Sequence, residues 1–229
     1  MTTQTLTPSV SPFLLAPPGV YRPQDDTRLL ARALSRESMG SRTRVLELGT
    51  GSGALALEAA RRGARVTAVD ISRRAVLTAR FNAMIARRRV TVRHGDLTGA
   101  VRGQSYDLVI SNPPYVPSPD ARLPRRGAAR AWDAGHDGRI LVDRICDAAP
   151  TVLRPSGALL VVHSGLCGVD ATLDRLARAG MSAVVTDRAR VPFGPVLRSR
   201  LPWLRRRGLL GDEAEDEKEE LVVIRAEHA

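Results

Sequence analysis

The 229 residues are enough to bury a full core in one domain, and a composition of 43% hydrophobic and 26% charged residues excludes a disordered or fibrous chain. No apolar run approaches the roughly 18 residues of a membrane span. The net charge of +11 rests on arginine, with Lys218 the lone lysine. Such a balance suits an acidic partner such as nucleic acid or a ribosome-bound complex, or it simply solvates the surface.

Residues 1–18 are rich in Thr, Ser and Pro and lack the basic and long apolar regions of a secretory signal. A frayed arm is expected there, ahead of one domain over 19–229. The run Gly19-Val-Tyr-Arg-Pro-Gln-Asp-Asp-Thr27 reads as a loop feeding a helix with Leu29, Leu30, Ala33 and Leu34 on one face, Asp25 or Asp26 serving as N-cap. Gly40 and Ser41 break that helix. A strand over 44–48 runs into Gly49, Gly51 and Gly53, and a helix over 53–62 stops at Gly63. The second strand, 65–69, ends at Asp70, and Ser72 caps a helix over 73–87. Strand 89–93 precedes His94-Gly-Asp-Leu97, and strand 106–110 delivers Ser111-Asn-Pro-Pro-Tyr115.

Residues 117–136 carry several Pro, Gly and Arg, too long a stretch for a plain connection, so a lid or binding segment is expected. A helix over 137–151, a strand over 158–163, a helix over 169–179 and strands over 181–187 and 220–226 complete the pattern. The segment 188–219, basic then acidic, reads as an exposed hairpin connection. Its acidic end, 211–220, is a solvated loop or a shield against non-specific nucleic acid. Alternating strands and helices give an α/β fold, a mostly parallel sheet covered on both faces, with ligands at the carboxyl ends of the strands.

The polar motifs all fall at those ends. Glycines at alternate positions let a ligand approach bare backbone, and a helix N-terminus follows at once. Asp70 stands where an acid meets ribose hydroxyls in mononucleotide-binding folds, or else it precedes the helix as a cap. Asp96 in Gly-Asp also reads as a plain turn residue, and Asn-Pro alone marks turns. An exocyclic or amide NH2 is a poor nucleophile because its lone pair is delocalised. Acceptors on its two N–H bonds, the Asn112 side-chain oxygen and the Pro113 carbonyl, would favour pyramidalisation and face the positive charge that develops. The prolines fix the backbone, and Tyr115 can cover the flat face of the substrate. His94, His136, His163 and His228 show no metal-ligand spacing, and Cys146 and Cys167 read as reduced thiols, so no metal is expected.

Taken together, the glycine turn, Asp70, Asp96 and Asn112-Pro-Pro-Tyr115 resemble a class I S-adenosylmethionine-dependent methyltransferase over roughly residues 19–226. The resemblance implies a Rossmann-like sheet of seven strands, the last antiparallel. It implies catalytic roles for Asn112, Pro113 and Tyr115, with Asn112 also touching the cofactor. For the cofactor it implies Gly49, Gly51 and Gly53 against the methionine moiety, Glu47 under its amino-acid part, Asp70 on the ribose, and Asp96 with Leu97 at the adenine. The leading segment is similar to that of short HemK-like glutamine methyltransferases and implicates Pro23, Asp26 and Thr27. The run Ala131-Trp-Asp-Ala-Gly-His-Asp-Gly-Arg139 is similar to that family's Gly-Gly-x-Asp-Gly element, with Ala134 at the first glycine; Gly138 as a turn and Trp132 as a core residue are the alternatives. A cytoplasmic enzyme methylating a release-factor glutamine is implied, either alone or with a small activator subunit as in eukaryotic short relatives. Methylation of a base in rRNA, tRNA or DNA, and a non-catalytic cofactor-binding scaffold, are the other readings.

Overall fold

The computed structural model describes residues 14–211 and 218–228. Seven strands form one sheet: β1 (Arg44–Leu48), β2 (Arg65–Asp70), β3 (Val90–His94), β4 (Tyr106–Ser111), β5 (Leu153–Ser164), β6 (Met181–Pro192) and β7 (Lys218–His228). Their spatial order is β3-β2-β1-β4-β5-β7-β6, with β7 antiparallel to both neighbours. The helices are α1 (Asp25–Leu34), α2 (Ala54–Arg61), α3 (Arg73–Ile85), α4 (Ile140–Ala148), α5 (Val169–Arg178) and α6 (Pro195–Arg206). The strand order reverses between β1 and β4, where Leu48 pairs with Ser111. A crevice opens at such a switch point beyond the carboxyl ends of the strands.

With so few aromatics, the core is built from Val, Leu, Ile and Ala. Val45, Leu46, Leu48, Val109 and Ile110 of the central strands are all buried, as burial on both faces of a parallel strand demands. Gly53 (φ +84°) brings α2 against α3, where a Cβ would sit 3.1 Å from the Ala79 Cβ. Ser72 caps α3 as expected, accepting the Ala75 N–H at 3.4 Å.

Four expectations need correction. Neither Asp25 nor Asp26 caps α1; Gln24 holds that position without a side-chain bond, and both acids lie in the first turn. The helix expected over 137–151 starts at Ile140, because Gly138 at φ +73° cannot be helical, and it closes as a 3-10 turn over Ala149–Val152. Strand β5 begins at Leu153, before Gly157, rather than after it. The segment 188–219 is no simple connection. Strand β6 continues to Pro192, and α6 follows with Pro195 in its first turn, burying Leu197 and Leu204. Its apolar spacing is diluted by arginines and interrupted by Pro202, which hid the helix in the sequence. Most of the acidic run and most of the expected arm over 1–18 lie outside the described residues.

Candidate functional site

A cavity of about 780 Å³ occupies the switch point, within the size range of small-molecule sites. The turn after β1 forms one wall. The Gly49 and Thr50 N–H groups donate to the Val69 carbonyl at 2.9 and 3.1 Å, which sets the turn against β2. Gly49 has φ +73° and Gly51 φ +55°, the left-handed region that favours glycine. A Cβ on Gly49 would meet no protein atom within 4 Å, and the residue lines the cavity, so its bare backbone borders ligand space.

Two carboxylates flank this turn, Glu47 buried and Asp70 half-buried. Asp70 accepts from the Gly51 N–H at 2.9 Å and the Ser72 N–H at 2.8 Å, and burial raises its pKa. It is thus tied to the glycine turn, while the cap role belongs to Ser72. Glu47 accepts from the Thr50 hydroxyl and, at 3.0 Å, from the Ala56 N–H; burial outweighs these donors and pushes its carboxyl up to about 8. Asp96 and Leu97 also line the cavity, Leu97 at φ +44°. Asp96 is half exposed and pairs with Arg144 at 2.7 Å through Oδ2, leaving Oδ1 without a hydrogen bond among the described residues.

At the other end, the Asn112 side-chain N–H donates to the Thr27 hydroxyl at 3.1 Å. The amide is thereby turned so that its oxygen, with no bond among the described residues, remains an acceptor. Thr27 in turn donates its N–H and hydroxyl to Asp26 Oδ1 at 2.5 and 3.2 Å. Asp26 Oδ2 accepts from two phenols, Tyr21 at 2.7 Å and Tyr115 at 3.0 Å. Burial and the Asp26 charge raise both phenol pKa values, so both remain donors. Tyr115 is only 9% exposed with its hydroxyl spent on Asp26; little of its ring is left to cover a substrate, and it serves to fix the motif. Sequence reading placed Asp26 as a cap or, by resemblance, at the methionine end of the cofactor with Thr27. Its carboxylate is instead taken up by Tyr21, Thr27 and Tyr115, contacts that local pattern does not announce. Tyr21, quoted within the same run, gave no periodic signal.

The run after the lid docks back on the motif. The Val116 N–H donates to the Trp132 carbonyl at 2.8 Å, and the Ala134 N–H to the Val116 carbonyl at 3.1 Å. Ala134 is fully buried with an ordinary negative φ, so a side chain is accommodated where glycine is usual. Gly138 is more than a turn. A Cβ there would stand 2.2 Å from the Tyr115 carbonyl oxygen and 2.9 Å from Cys167 Sγ, and the Cys167 thiol donates to that same carbonyl at 3.1 Å. Trp132 lines the cavity instead of filling the core. His163 is buried with its Nδ1 on the Ser164 carbonyl at 2.8 Å, and burial lowers its pKa to about 4. Among the described residues no His, Cys, Asp or Glu cluster could hold a metal.

Bare glycine backbone, a doubly anchored Asp70 and a buried Glu47 fit a nucleoside carrying an amino-acid arm, as in S-adenosylmethionine. Comparison with known proteins agrees. Residues 14–123 match the sequence profile described as Methyltransferase small domain. The chain is 32% identical over 177 residues to a putative protein N5-glutamine methyltransferase of Methanocaldococcus jannaschii, covering 77% of this chain and 88% of that one. It is 38% identical over 180 residues to the release factor glutamine methyltransferase of Bordetella pertussis, covering 75% of this chain but 66% of that enzyme. Among solved structures, the E. cuniculi Mtq2-Trm112 complex, responsible for methylating the termination factor eRF1, superposes with a TM-score of 0.65 at 24% identity, covering 92% of this chain and 99% of that one. The T. thermophilus 16S rRNA N2 G1207 methyltransferase, solved with AdoMet and guanosine, gives 0.60 at 20% identity, covering 91% and 44%.

Proposed function

We propose, on the premise that this chain belongs to the protein N5-glutamine methyltransferase family, that it methylates the side-chain amide of a glutamine in a translation release factor. The chain is an S-adenosylmethionine-dependent methyltransferase. When bound, the cofactor supplies an electrophilic methyl group, and the protein supplies position and electrostatics. In this reading Gly49 and Gly51 would admit its methionine arm, while Gly53, packed against Ala79 and outside the cavity lining, seats α2 instead. Glu47 would lie under the arm's amino-acid part, Asp70 would take the ribose hydroxyls, Asp96 and Leu97 would border the adenine, and Thr27 would close the arm's end. Asn112 Oδ1 and the Pro113 carbonyl accept the two amide N–H bonds and hold the nitrogen for attack. Positive charge developing on that nitrogen meets these acceptors, and Tyr115 holds the loop that carries them. Residues 19–229 act as one catalytic domain.

The observation that carries this reading is the Asn112 to Thr27 bond, which commits the amide's donor and leaves its oxygen for a substrate N–H. A cytoplasmic site of action goes with it; among the described residues no helix is long and apolar enough to cross a membrane. A small activator subunit belongs to the proposal too, since Leu77, Phe81 and Met84 on α3 form an exposed apolar stripe. The test is transfer of labelled methyl from S-adenosylmethionine to a release factor by the wild type and by Asn112→Ala. Label at a glutamine, lost in the variant, supports the reading. Nuclease-sensitive label from a cell lysate would replace it with base methylation, which the basic surface otherwise favours.

A further inference from the structure

We propose that the lid and α6 together form a docking face for the phosphate backbone of RNA, beside the mouth of the cavity. This goes beyond the acceptor reading and holds whichever nitrogen is methylated. Residues 117–133 and 195–207 carry nine arginines against two aspartates, Asp120 and Asp133. Arg200 of α6 is spent internally, bonding the Pro117 carbonyl at 2.9 Å and Asp133 at 2.6 Å. Exposed Arg122, Arg125, Arg126, Arg205, Arg206 and Arg207, by contrast, enter no ion pair among the described residues. Some guanidinium groups elsewhere, such as those of Arg139, Arg175 and Arg225, are paired with carboxylates, while Arg87, Arg88 and Arg89 between α3 and β3 are exposed and unpaired among the described residues. What sets the lid and α6 apart is that Arg125 and Arg130 of the lid also line the cavity.

The two elements make one surface. His136 bonds the Pro119 carbonyl at 3.0 Å and packs its ring 6.5 Å from that of Trp203. That contact sets the start of the lid, three residues before Arg122, against the end of α6, two residues before Arg205. Underneath, Phe193, Leu197 and Leu204 pack with Val116 and Leu166, so α6 is seated on the body that carries the acceptor motif. The lid also walls the cavity through Arg125 and Arg130, so of the unpaired guanidinium groups Arg125 stands at the cavity itself and the others lie on the same two elements.

The chemistry of the face favours RNA over an acidic protein. Specific protein interfaces have an apolar core, and nucleic-acid interfaces are far more positively charged. Among the described residues the exposed large apolar side chains are Leu15, Ile71, Leu77, Phe81, Met84, Ile85 and Val184, and none lies on the lid or α6. Contact with the arginines falls on phosphates and carries little sequence preference.

The test measures binding of a labelled oligouridylate of about 20 nucleotides by fluorescence anisotropy, from roughly 50 to 200 mM salt. Each phosphate neutralised on a single strand adds about 0.7 to the steepness of log K against log salt. R205Q/R206Q/R207Q is expected to weaken binding at least tenfold at low salt and to flatten that slope by about 2. R122Q/R126Q should flatten it by about 1.4. R87Q/R88Q/R89Q removes equal charge between α3 and β3 and should leave binding within twofold. S-adenosylmethionine binding by each variant verifies that it is folded. The proposal is overturned if the wild type does not bind at low salt, or if the α3–β3 variant loses as much as the α6 variant. It is likewise overturned if polyglutamate displaces the RNA at equal charge concentration, which would assign the face to an acidic protein.

Discussion

Gly138→Ala is expected to be among the most damaging methyl additions in this chain. At φ +73° any L-residue loses roughly 1–2 kcal/mol from contact of its Cβ with its own backbone. The new carbon would also lie 2.2 Å from the Tyr115 carbonyl oxygen and 2.9 Å from Cys167 Sγ, distances that force those atoms apart. Overpacking of this sort costs about 1–3 kcal/mol. The sum, about 2–5 kcal/mol, is a large part of the roughly 5–15 kcal/mol that holds a domain folded. Gly180 provides the control: it has φ +77° but nothing within 4 Å of a built Cβ, so Gly180→Ala should carry only the backbone cost. Urea unfolding of both variants, followed by far-UV circular dichroism, measures the difference as a shift in midpoint at constant slope. Equal midpoints for the two variants would refute the claim that Gly138 exists to let the Tyr115 loop close.

Other outcomes follow from the same site. Asp26→Asn replaces a buried carboxylate that takes two phenol donors on one oxygen, and bonds to a charged acceptor are worth about 1.5–3 kcal/mol each. A loss of about 2–4 kcal/mol in stability and a lower kcat are expected; unchanged melting would show the network is dispensable. Thr27→Val frees the Asn112 amide to rotate, so kcat should fall about tenfold or more with the fold intact, as unfolding and initial-rate measurements would check. Burial raises Glu47 from 4.5 to about 8, so the folded chain holds a proton that the unfolded chain releases. Stability from this group is complete below about 4.5 and is lost as pH rises to about 8, at up to about 1.4 kcal/mol per unit, and Glu47→Gln should remove that slope. His163 acts with the opposite sign: lowered from 6.5 to about 4, it contributes fully above 6.5 and loses that contribution as pH falls towards 4, and His163→Gln should flatten the acid limb.

Much of this architecture can be read from the chain because the central strands leave little choice. Arg44–Leu48 and Tyr106–Ser111 are short, apolar and bounded by glycine or proline turns, so their strands and the motifs at their ends can be placed to within a residue. Glu47 and the glycine turn lie at the end of the first of these, Asp70 ends the neighbouring strand β2, and they meet at the cavity as local pattern implies. What sequence could not supply is contact between distant segments. Asp26 touches Tyr115 across 89 positions, and Cys167 touches the Tyr115 carbonyl across 52; no periodicity announces either contact. Helix α6 was missed for a different reason. Its buried face is only Leu197 and Leu204 with half-buried Leu201, while arginines and Pro202 occupy the rest, so a short apolar stripe was outweighed by composition.

The bond from Asn112 to Thr27 has a consequence for how many methyl groups one acceptor takes. With its nitrogen committed, the Asn112 amide cannot turn to offer a donor, so this end of the site presents only lone pairs: Asn112 Oδ1 and the Pro113 carbonyl. A primary amide brings two hydrogens and satisfies both. Once one hydrogen is replaced by methyl, one lone pair faces carbon, and a desolvated acceptor left without a donor costs about 1–3 kcal/mol. On the proposed acceptor geometry the pocket counts hydrogens: the product is expected to bind worse than the substrate, and intact-mass spectrometry of an exhaustively treated acceptor should show a single added methyl.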